Sequence, residues 1–319
     1  MKRIAWATLL AAGMLWVPAH ADYPVRSVKI IVPFPAGQTT DLMARELAQQ
    51  FTTSLGQPFF VDNRGGAGGI IGMENAKRSE PDGYTLLMAS SGPLAINPSL
   101  YKNLPYDTLA DFEPISTVVM VPLFLVVRKD FPASTLAEFI AYVKAHPGKL
   151  NYGSGGTGLT NHLVMEMLKT QAGLDVVHVP YRGAAAAVTG LVSGDIDMMF
   201  EAGPPIMPHV QSNNLKVLAV GSQAGAKAFP EVPSVSTQVP GFDAQAWVAF
   251  MAPKGTAPEI TGRLSRVMHT ALNASGVENK FAALGAEVAT KAPAQTKAFI
   301  QSEMENWKTA VVASNARVD

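Results

Sequence analysis

Two glycine-rich turns carry the residue types in this sequence that suit binding of a small anion. The first, Pro33–Gln38 (PFPAGQ), follows the apolar run Val28–Val32, and the second, Gly153–Gly158 (GSGGTG), follows Leu150–Tyr152. Each turn precedes an amphipathic run typical of a helix, so the unpaired N–H groups and the dipole at the helix start favour a negative group. We therefore expect the two turns to face each other across a cleft and hold a small carboxylate.

Small polar side chains, one carboxylate and one cation extend this candidate site. Asp41 has two roles open to it: complementing the helix dipole, or orienting a ligand amine or water. Arg182 is placed to pair with a carboxylate by two hydrogen bonds, with an ordinary surface arginine as the alternative. Phe34 and Tyr181 are placed to flank an apolar or aromatic ligand body. The predicted ligand-binding set is Phe34, Ala36, Gly37, Gln38, Thr39, Asp41, Ser90, Ser91, Ser154, Gly155, Gly156, Thr157, Tyr181 and Arg182.

The second turn also matches the G-x-G-x-x-G pattern of dinucleotide-binding proteins, with Asp175 about 20 residues further on. In that pattern the acidic residue follows the second strand, whereas Asp175 precedes the strand-like run Val176–Val179. The turn is therefore interpreted as glycines that let a ligand approach backbone N–H groups, with a purely structural tight turn as the alternative.

Catalytic and metal-binding patterns are weak in this sequence. It has six histidines and no pair of them at metal-ligand spacing, no G-x-S-x-G nucleophile motif and no P-loop. We interpret His162 as a packed, hydrogen-bonded residue and His178 as a core residue. The competing hypothesis is an exported α/β hydrolase that uses Ser154 or Ser91, although the sequence places no base beside either serine. We expect no catalysis, no cofactor and no metal.

The N-terminus has the three parts of a secretory signal peptide. Lys2 and Arg3 form a positive region, Ile4–Val17 is apolar, and Ala19-His20-Ala21 is an A-x-A cleavage site. The apolar run is shorter than the roughly 20 residues that span a bilayer. We expect cleavage before Asp22 and export to the periplasm. The balance of 25 basic against 25 acidic residues gives no indication of nucleic-acid binding.

Strand-like and helix-like runs alternate along the rest of the chain, which predicts an α/β fold with parallel sheets flanked by helices. Two strands, Ile115–Met120 and Leu123–Arg128, are predicted to be separated by Pro122, where the chain would pass into a second lobe. A strand at Trp247–Ala252 would return it, and three final helices would pack over the first lobe. The predicted units are residues 1–21 (signal peptide), 22–122 plus 249–319 (domain 1) and 123–248 (domain 2).

Five motifs in succession resemble one family. They are VKIIVPFPAGQTTDLMAR, VDNRGGAGGIIG, PDGYTLLM, KLNYGSGGTGLTNHLVMEML and HVPYRGAAAAVTGLVSGDIDMMF. The chain is similar to the Bug, or tripartite tricarboxylate transporter receptor, family of extracytoplasmic solute-binding proteins. The resemblance implies a two-lobe Venus flytrap fold that captures a carboxylate. It also implies that the loops Phe34–Asp41 and Gly153–Thr157 bind it, largely through backbone groups.

The resemblance also implies partners, and it contains one departure. Family members hand their ligand to the membrane permease subunits of a tripartite tricarboxylate transporter, and we expect this chain to do so as a monomer. The family usually has a second glycine where this chain has Gln38, so a side chain here would project near the ligand. We expect Gln38 to influence which carboxylate fits.

Overall fold

The computed structural model describes residues 23–314 and residue 316 as alternating strands and helices. The expected signal peptide and its cleavage site lie outside the described residues. The ten strands are β1 Val28–Val32, β2 Phe59–Asn63, β3 Thr85–Ser90, β4 Phe112–Arg128, β5 Asn151–Ser154, β6 Val177–Pro180, β7 Met198–Ala202, β8 Leu215–Val220, β9 Gln245–Pro253 and β10 Glu287–Val288. The ten α-helices are α1 Thr39–Leu55, α2 Ile70–Lys77, α3 Asn97–Leu100, α4 Leu136–Ala145, α5 Thr160–Ala172, α6 Ala184–Ser193, α7 Gly203–Gln211, α8 Pro258–Leu272, α9 Ser275–Ala283 and α10 Pro293–Ser314.

The strands form one continuous curled sheet in the order β2-β1-β3-β9-β4-β7-β5-β6, with β8 and β10 also paired to β4. β1, β2 and β3 are parallel to one another, and so are β5, β6 and β7. The α/β class predicted from the alternating pattern is confirmed. Among the described residues, no helix has the length and apolar character needed to cross a membrane.

β4 is a single strand of 17 residues, so the prediction of two strands separated at Pro122 was wrong. Its first part pairs with β9 as far as Pro122, and from Leu123 onward it pairs with β7. Pro122 lies where the pairing changes from one neighbour to the other. A proline without an N–H group is tolerated there, because the regular ladder is already interrupted.

Two elements, α7 and β10, were not predicted from the sequence. α7 contains Pro204, Pro205 and Pro208, which obscure a helical pattern, although the first two lie in the initial turn, where no N–H is required. β10 has only two residues and pairs with Val119 and Met120 of β4. The final helix α10 packs against α3 and β4 and also against α5, so the last three helices do not all pack over the first part of the sheet.

Three apolar clusters cover the sheet. The largest joins the inner side of α10 to residues of β4, β5 and α5, including Trp307 and Tyr152. A second lies beneath α1 and α8, around Phe51 and Phe250, and a third lies beneath α6 and α7, around Phe124. These clusters fix the strands whose ends carry the two glycine-rich turns.

Candidate functional site

The carboxyl ends of the two sets of parallel strands point toward each other along β4. The end of β3 at Ser90 is level with Val248 of β9, which pairs with Val119 of β4. The end of β7 at Ala202 pairs with Leu123 and approaches from the opposite direction. The two levels, Val119 and Leu123, are four residue steps apart on β4, which is roughly 13 Å of extended chain. Ligands in open α/β sheets bind at such carboxyl ends.

The first turn presents backbone N–H groups at the start of α1. Within the described part of the chain, the amides of Gln38, Thr39 and Thr40 have no hydrogen-bond partner, and no side chain caps the helix. Ala36 to Thr39 are exposed, while Phe34 is half-buried against the cluster beneath α1. Gly37 has φ +86°, a backbone conformation that residues other than glycine rarely adopt. The turn therefore offers backbone N–H donors that no described protein acceptor occupies.

Asp41 holds the first turn together. Its carboxylate, only 1% exposed, accepts hydrogen bonds from Gly37 N (2.8 Å), Arg45 Nε (3.1 Å) and Asn63 Nδ2 (3.0 Å). Burial alone would raise the pKa of Asp41, but these hydrogen bonds and the Arg45 charge outweigh burial and hold the pKa below its usual range. Of the two roles left open, the contacts favour the structural one. Sequence reasoning missed Arg45 and Asn63, although Arg45 lies one helical turn after Asp41.

Ser90 is the last residue of β3 and Ser91 follows it, at the same edge of the sheet. Ser90 is half-buried, and Ser91 is fully buried with a hydroxyl that has no hydrogen-bond partner. Thr108 carries the other buried side-chain oxygen without a partner among the described residues. An unsatisfied buried hydroxyl costs free energy unless a water or ligand supplies the missing bond.

The second turn repeats the arrangement of the first. Within the described residues, the amides of Gly155, Thr157 and Thr160 have no hydrogen-bond partner, and no side chain caps α5. Ser154 and Gly155 are buried, Gly156 is half-buried and Thr157 is exposed. Gly158 has φ +82°, and a Cβ there would lie 2.5 Å from Leu100 of α3. The turn therefore lies directly against an element from the first half of the chain.

Ser154 is hydrogen-bonded to a histidine, contrary to the expectation that no base lies beside it. Ser154 Oγ is 2.7 Å from His178 Nε2, because β5 and β6 pair Ser154 with Pro180 and bring both side chains to one face. His178 is half-buried rather than a core residue, whereas His162 is buried and hydrogen-bonded as expected. Sequence spacing could not reveal the pair, since 24 residues separate its members.

Tyr181 and Arg182 follow β6 and differ in their surroundings. The Tyr181 ring is directed toward Gly153 and Gly190, where an added Cβ at Gly190 would lie 2.3 Å from the phenolic oxygen. Burial raises the pKa of Tyr181. Arg182 is exposed, and among the described residues its guanidinium makes no hydrogen bond or ion pair. Arg182 is thus available to an anion, while the Tyr181 ring is occupied by packing.

A buried carboxylate near this edge was not predicted. Glu201 is the penultimate residue of β7. Its carboxylate accepts hydrogen bonds from Asn161 Nδ2 (3.0 Å) and from the Ala202 amide (2.9 Å). Burial raises the pKa of Glu201, while these hydrogen bonds oppose the rise. A charged residue directly after the apolar run Met198–Phe200 is the signal that could have identified it. Its contacts join the first turn of α5 to the end of β7.

An apolar cavity of about 430 Å³ lies elsewhere, between α7 and the segment joining α9 to β10. Its walls include Phe124, Met207 and Phe229 on one side and Ala283 and Val288 on the other. None of the predicted ligand-binding residues lines it. The described residues contain no cluster of acidic or histidine side chains suited to a metal ion. The arrangement at the strand ends suits binding of an anion by backbone amides.

Comparisons with known proteins agree with this geometry. The family model described as "Tripartite tricarboxylate transporter family receptor" matches residues 43–315. Protein BugT of Bordetella pertussis is 40% identical over 312 residues, covering 97% of this chain and 96% of BugT.

Two solved structures with bound carboxylates resemble the whole fold. R. palustris Rpa4515 with adipate is 30% identical, with a TM-score of 0.80 and coverage of 92% of this chain and 99% of that one. MatC (Rpa3494) from Rhodopseudomonas palustris with bound malate is 31% identical, with a TM-score of 0.76 and coverage of 91% and 100%. The two-lobe architecture of periplasmic binding proteins is thereby confirmed for this chain.

Proposed function

Because this chain belongs to the tripartite tricarboxylate transporter receptor family, we propose that it is a solute-binding receptor. It captures a small carboxylate between its two glycine-rich turns. The observation that carries the proposal is the pair of turns with unpaired amides, on strand ends that point toward each other along β4. Such amides and the helix dipoles behind them stabilise a negative group without a neutralising side chain.

A dicarboxylate suits this arrangement, because each turn can bind one carboxylate. Two structural neighbours contain the dicarboxylates adipate and malate, which supports this ligand class for the present chain. The unpartnered Arg182 offers a further charge-assisted contact from the side of β6. Ser91 would gain a partner for its buried hydroxyl, either directly or through a water.

The proposed receptor works by closing two domains, residues 22–122 plus 249–319 and residues 123–248. The change of partners along β4 near Pro122 and the start of β9 supports hinges at these two places. The closed receptor would deliver its ligand to membrane permease subunits, as a monomer in the periplasm after cleavage before Asp22. The family relationship supports this partner and location.

A thermal-shift screen of the mature protein tests the proposal. Adipate, malate, a tricarboxylate, an amino acid and an aromatic acid would be compared with a neutral diamide of adipate and a sugar. A ligand at about 100 times its Kd should stabilise the protein by about 2.7 kcal/mol. Stabilisation by a carboxylate but not by the diamide is expected. Stabilisation by the sugar or diamide alone would contradict the proposal.

The competing hydrolase hypothesis is not favoured by the family relationship. The Ser154–His178 contact has hydrogen-bond geometry, but within the described residues no carboxylate orients the other ring nitrogen of His178. Burial, the neighbouring His162 and Lys169 lower the pKa of His178 to about 4, although Glu166 opposes this, so its imidazole is a weak base. We expect the mature protein to hydrolyse no carboxylate ester. Ester hydrolysis that is lost in Ser154→Ala and in Ser91→Ala would support the hydrolase hypothesis instead.

A further inference from the structure

A group of buried side chains beneath the second turn has no role in the function proposed above. The imidazoles of His162 and His178 stack with ring centres 4.1 Å apart. The Tyr152 ring of β5 stacks on His178 at 4.8 Å. The two histidines come from different elements, α5 and β6, and both contact the same turn.

The two imidazoles hold the turn at its two ends. His178 Nε2 is 2.7 Å from Ser154 Oγ, and Ser154 Oγ also accepts a hydrogen bond from the Gly156 amide at 3.2 Å. At the other end, the Gly158 amide donates to His162 Nδ1 at 3.1 Å. The unpaired amides of Gly155 and Thr157 lie between these fixed points. The orientation of those donors therefore depends on both contacts.

The contact with Gly158 requires one protonation state of His162. Because an N–H group donates to Nδ1, this nitrogen carries a lone pair, and the single proton of the neutral ring is on Nε2. A protonated ring would place two donors against each other and break the contact. Little space remains on the α3 side of Gly158, since a Cβ added there would lie 2.5 Å from Leu100.

The charged groups around His162 and His178 do not favour protonation of either imidazole. Glu166 of α5 already pairs with Lys169 at 2.6 Å and accepts a hydrogen bond from the Tyr152 hydroxyl. Burial lowers the pKa of both histidines, and Lys169 lowers them further, while Glu166 opposes this. Two protonated rings at stacking distance would also repel each other. Both imidazoles are therefore neutral near neutral pH.

We propose that His162 and His178 are positioning residues that, as two neutral stacked imidazoles, hold the second turn in its carboxylate-binding conformation and so set ligand affinity. The effect on affinity rests on the proposed function of the turn, whereas the effect on the turn itself does not. Neither histidine touches the ligand in this account. Acidification that protonates His162 would release Gly158 and weaken ligand binding.

Three substitutions test whether the histidines set ligand affinity. His162→Leu removes the acceptor for Gly158, whereas His162→Asn keeps an oxygen near the position of Nδ1 and cannot be protonated. With adipate and malate as probes in calorimetric titrations, His162→Leu should lower affinity about tenfold or more. His162→Asn should bind more tightly than His162→Leu and lose the decline in affinity that the wild-type protein shows on acidification. His209→Asn, on α7, is the matched control and should behave as wild type.

Labelling of histidine and glycine with ¹⁵N tests, without any ligand, whether the histidines hold the turn. At about pH 7.5 the His162 signals should show a neutral ring protonated on Nε2, and the Gly158 amide should exchange slowly with solvent. In His162→Leu, Gly158 should exchange faster while the melting temperature remains high enough for a folded protein. A His162 ring protonated on Nδ1, or unchanged Gly158 exchange in His162→Leu, would overturn the proposal.

The two proposals fail in different ways. If the wild-type protein binds no carboxylate, the proposed function is wrong, and the histidine signals still decide whether the turn is held as described. If the wild-type protein binds adipate or malate and His162→Leu binds equally well, the function stands and the role of the histidines is wrong.

Discussion

At the scale of single residues, the candidate site consists of backbone amides supported by a few side chains. Gln38 illustrates the difference between supporting and contacting a ligand. It is exposed, and its side chain makes no cap hydrogen bond at the start of α1. Its side chain is therefore free to enter the space beside the unpaired amides. The sequence singled out Gln38, because it occupies a position where the family usually has glycine.

Gln38→Gly should change the ligand profile more than the stability. Glycine at the residue before a helix costs only a few tenths of a kcal/mol relative to a good capping residue. The lost side chain should enlarge the space beside the first turn and alter the ranking of adipate, malate and larger carboxylates. Affinities measured by calorimetry for this panel are the test. An unchanged ranking would contradict the assignment.

Ser91→Ala should lower carboxylate affinity without a matching loss of stability. The Ser91 hydroxyl is buried and unpaired, so its removal leaves no partner unsatisfied in the ligand-free protein. Thr108→Val is the matched control, because Thr108 carries the other buried unpaired hydroxyl among the described residues. Thermal melting and adipate titration of both variants are the measurements. Equal affinity loss in the two variants would count against a ligand role for Ser91.

At the scale of elements, the two turn-helix units were largely predictable from the sequence. The apolar run Val28–Val32 has the bounds of β1, and a helix follows each of the two turns as expected. The supporting contacts were not predictable, because they join distant residues: Asn63 to Asp41, and His178 to Ser154. Strand pairing decides which side chains meet, and a periodic pattern along one chain segment carries no information about pairing partners.

Asp41→Asn should destabilise the first unit at neutral pH by about 1–3 kcal/mol, because Asp41 accepts bonds from Gly37, Arg45 and Asn63. The folded-state pKa of Asp41 is lowered, so the carboxylate contributes stability above its unfolded pKa and loses it as pH falls through the folded pKa. Urea unfolding across pH is the measurement. A difference between variant and wild type that persists undiminished in acid would contradict this role.

The stacked histidines predict a linkage of the same sign as that of Asp41, at higher pH. Burial lowers the pKa of His178 from 6.5 to about 4, so the unfolded chain binds a proton in that window while the folded protein does not. Stability should be greatest above about pH 6.5 and decline as pH falls toward 4. His178→Gln should flatten this decline in melting temperature. An equally steep decline in the variant would show that other groups cause it.

At the scale of the whole molecule, the proposed hinge depends on how β4 joins the two halves. The sequence predicted the passage near Pro122 but not that one strand runs through it, since proline usually ends a strand. β4 belongs to both halves by changing its partners from β9 to β7. The order of strands within the sheet could not be read from element order, because β9 inserts between β3 and β4.

Gly285→Ala should alter domain closure, because a Cβ at Gly285 would lie 2.4 Å from Pro204 Cδ in α7. The new methyl group should push α7 away from the α9–β10 segment, increase the radius of gyration in solution scattering and change adipate affinity. Gly241→Ala is the matched control: Gly241 has φ +81° and open space around it, so this substitution adds backbone strain alone. Identical scattering and affinity in the two variants would contradict the closure role.

The central claim is that a small carboxylate binds between the two glycine-rich turns. Titration of ¹⁵N-labelled mature protein with adipate, followed through assigned amide signals, tests this claim most directly. The amides of Gln38 and Thr39 in the first turn and of Gly155 and Thr157 in the second should shift together, with one common Kd. Shifts confined to one turn, or to the cavity between α7 and α9 with both turns unchanged, would contradict the account.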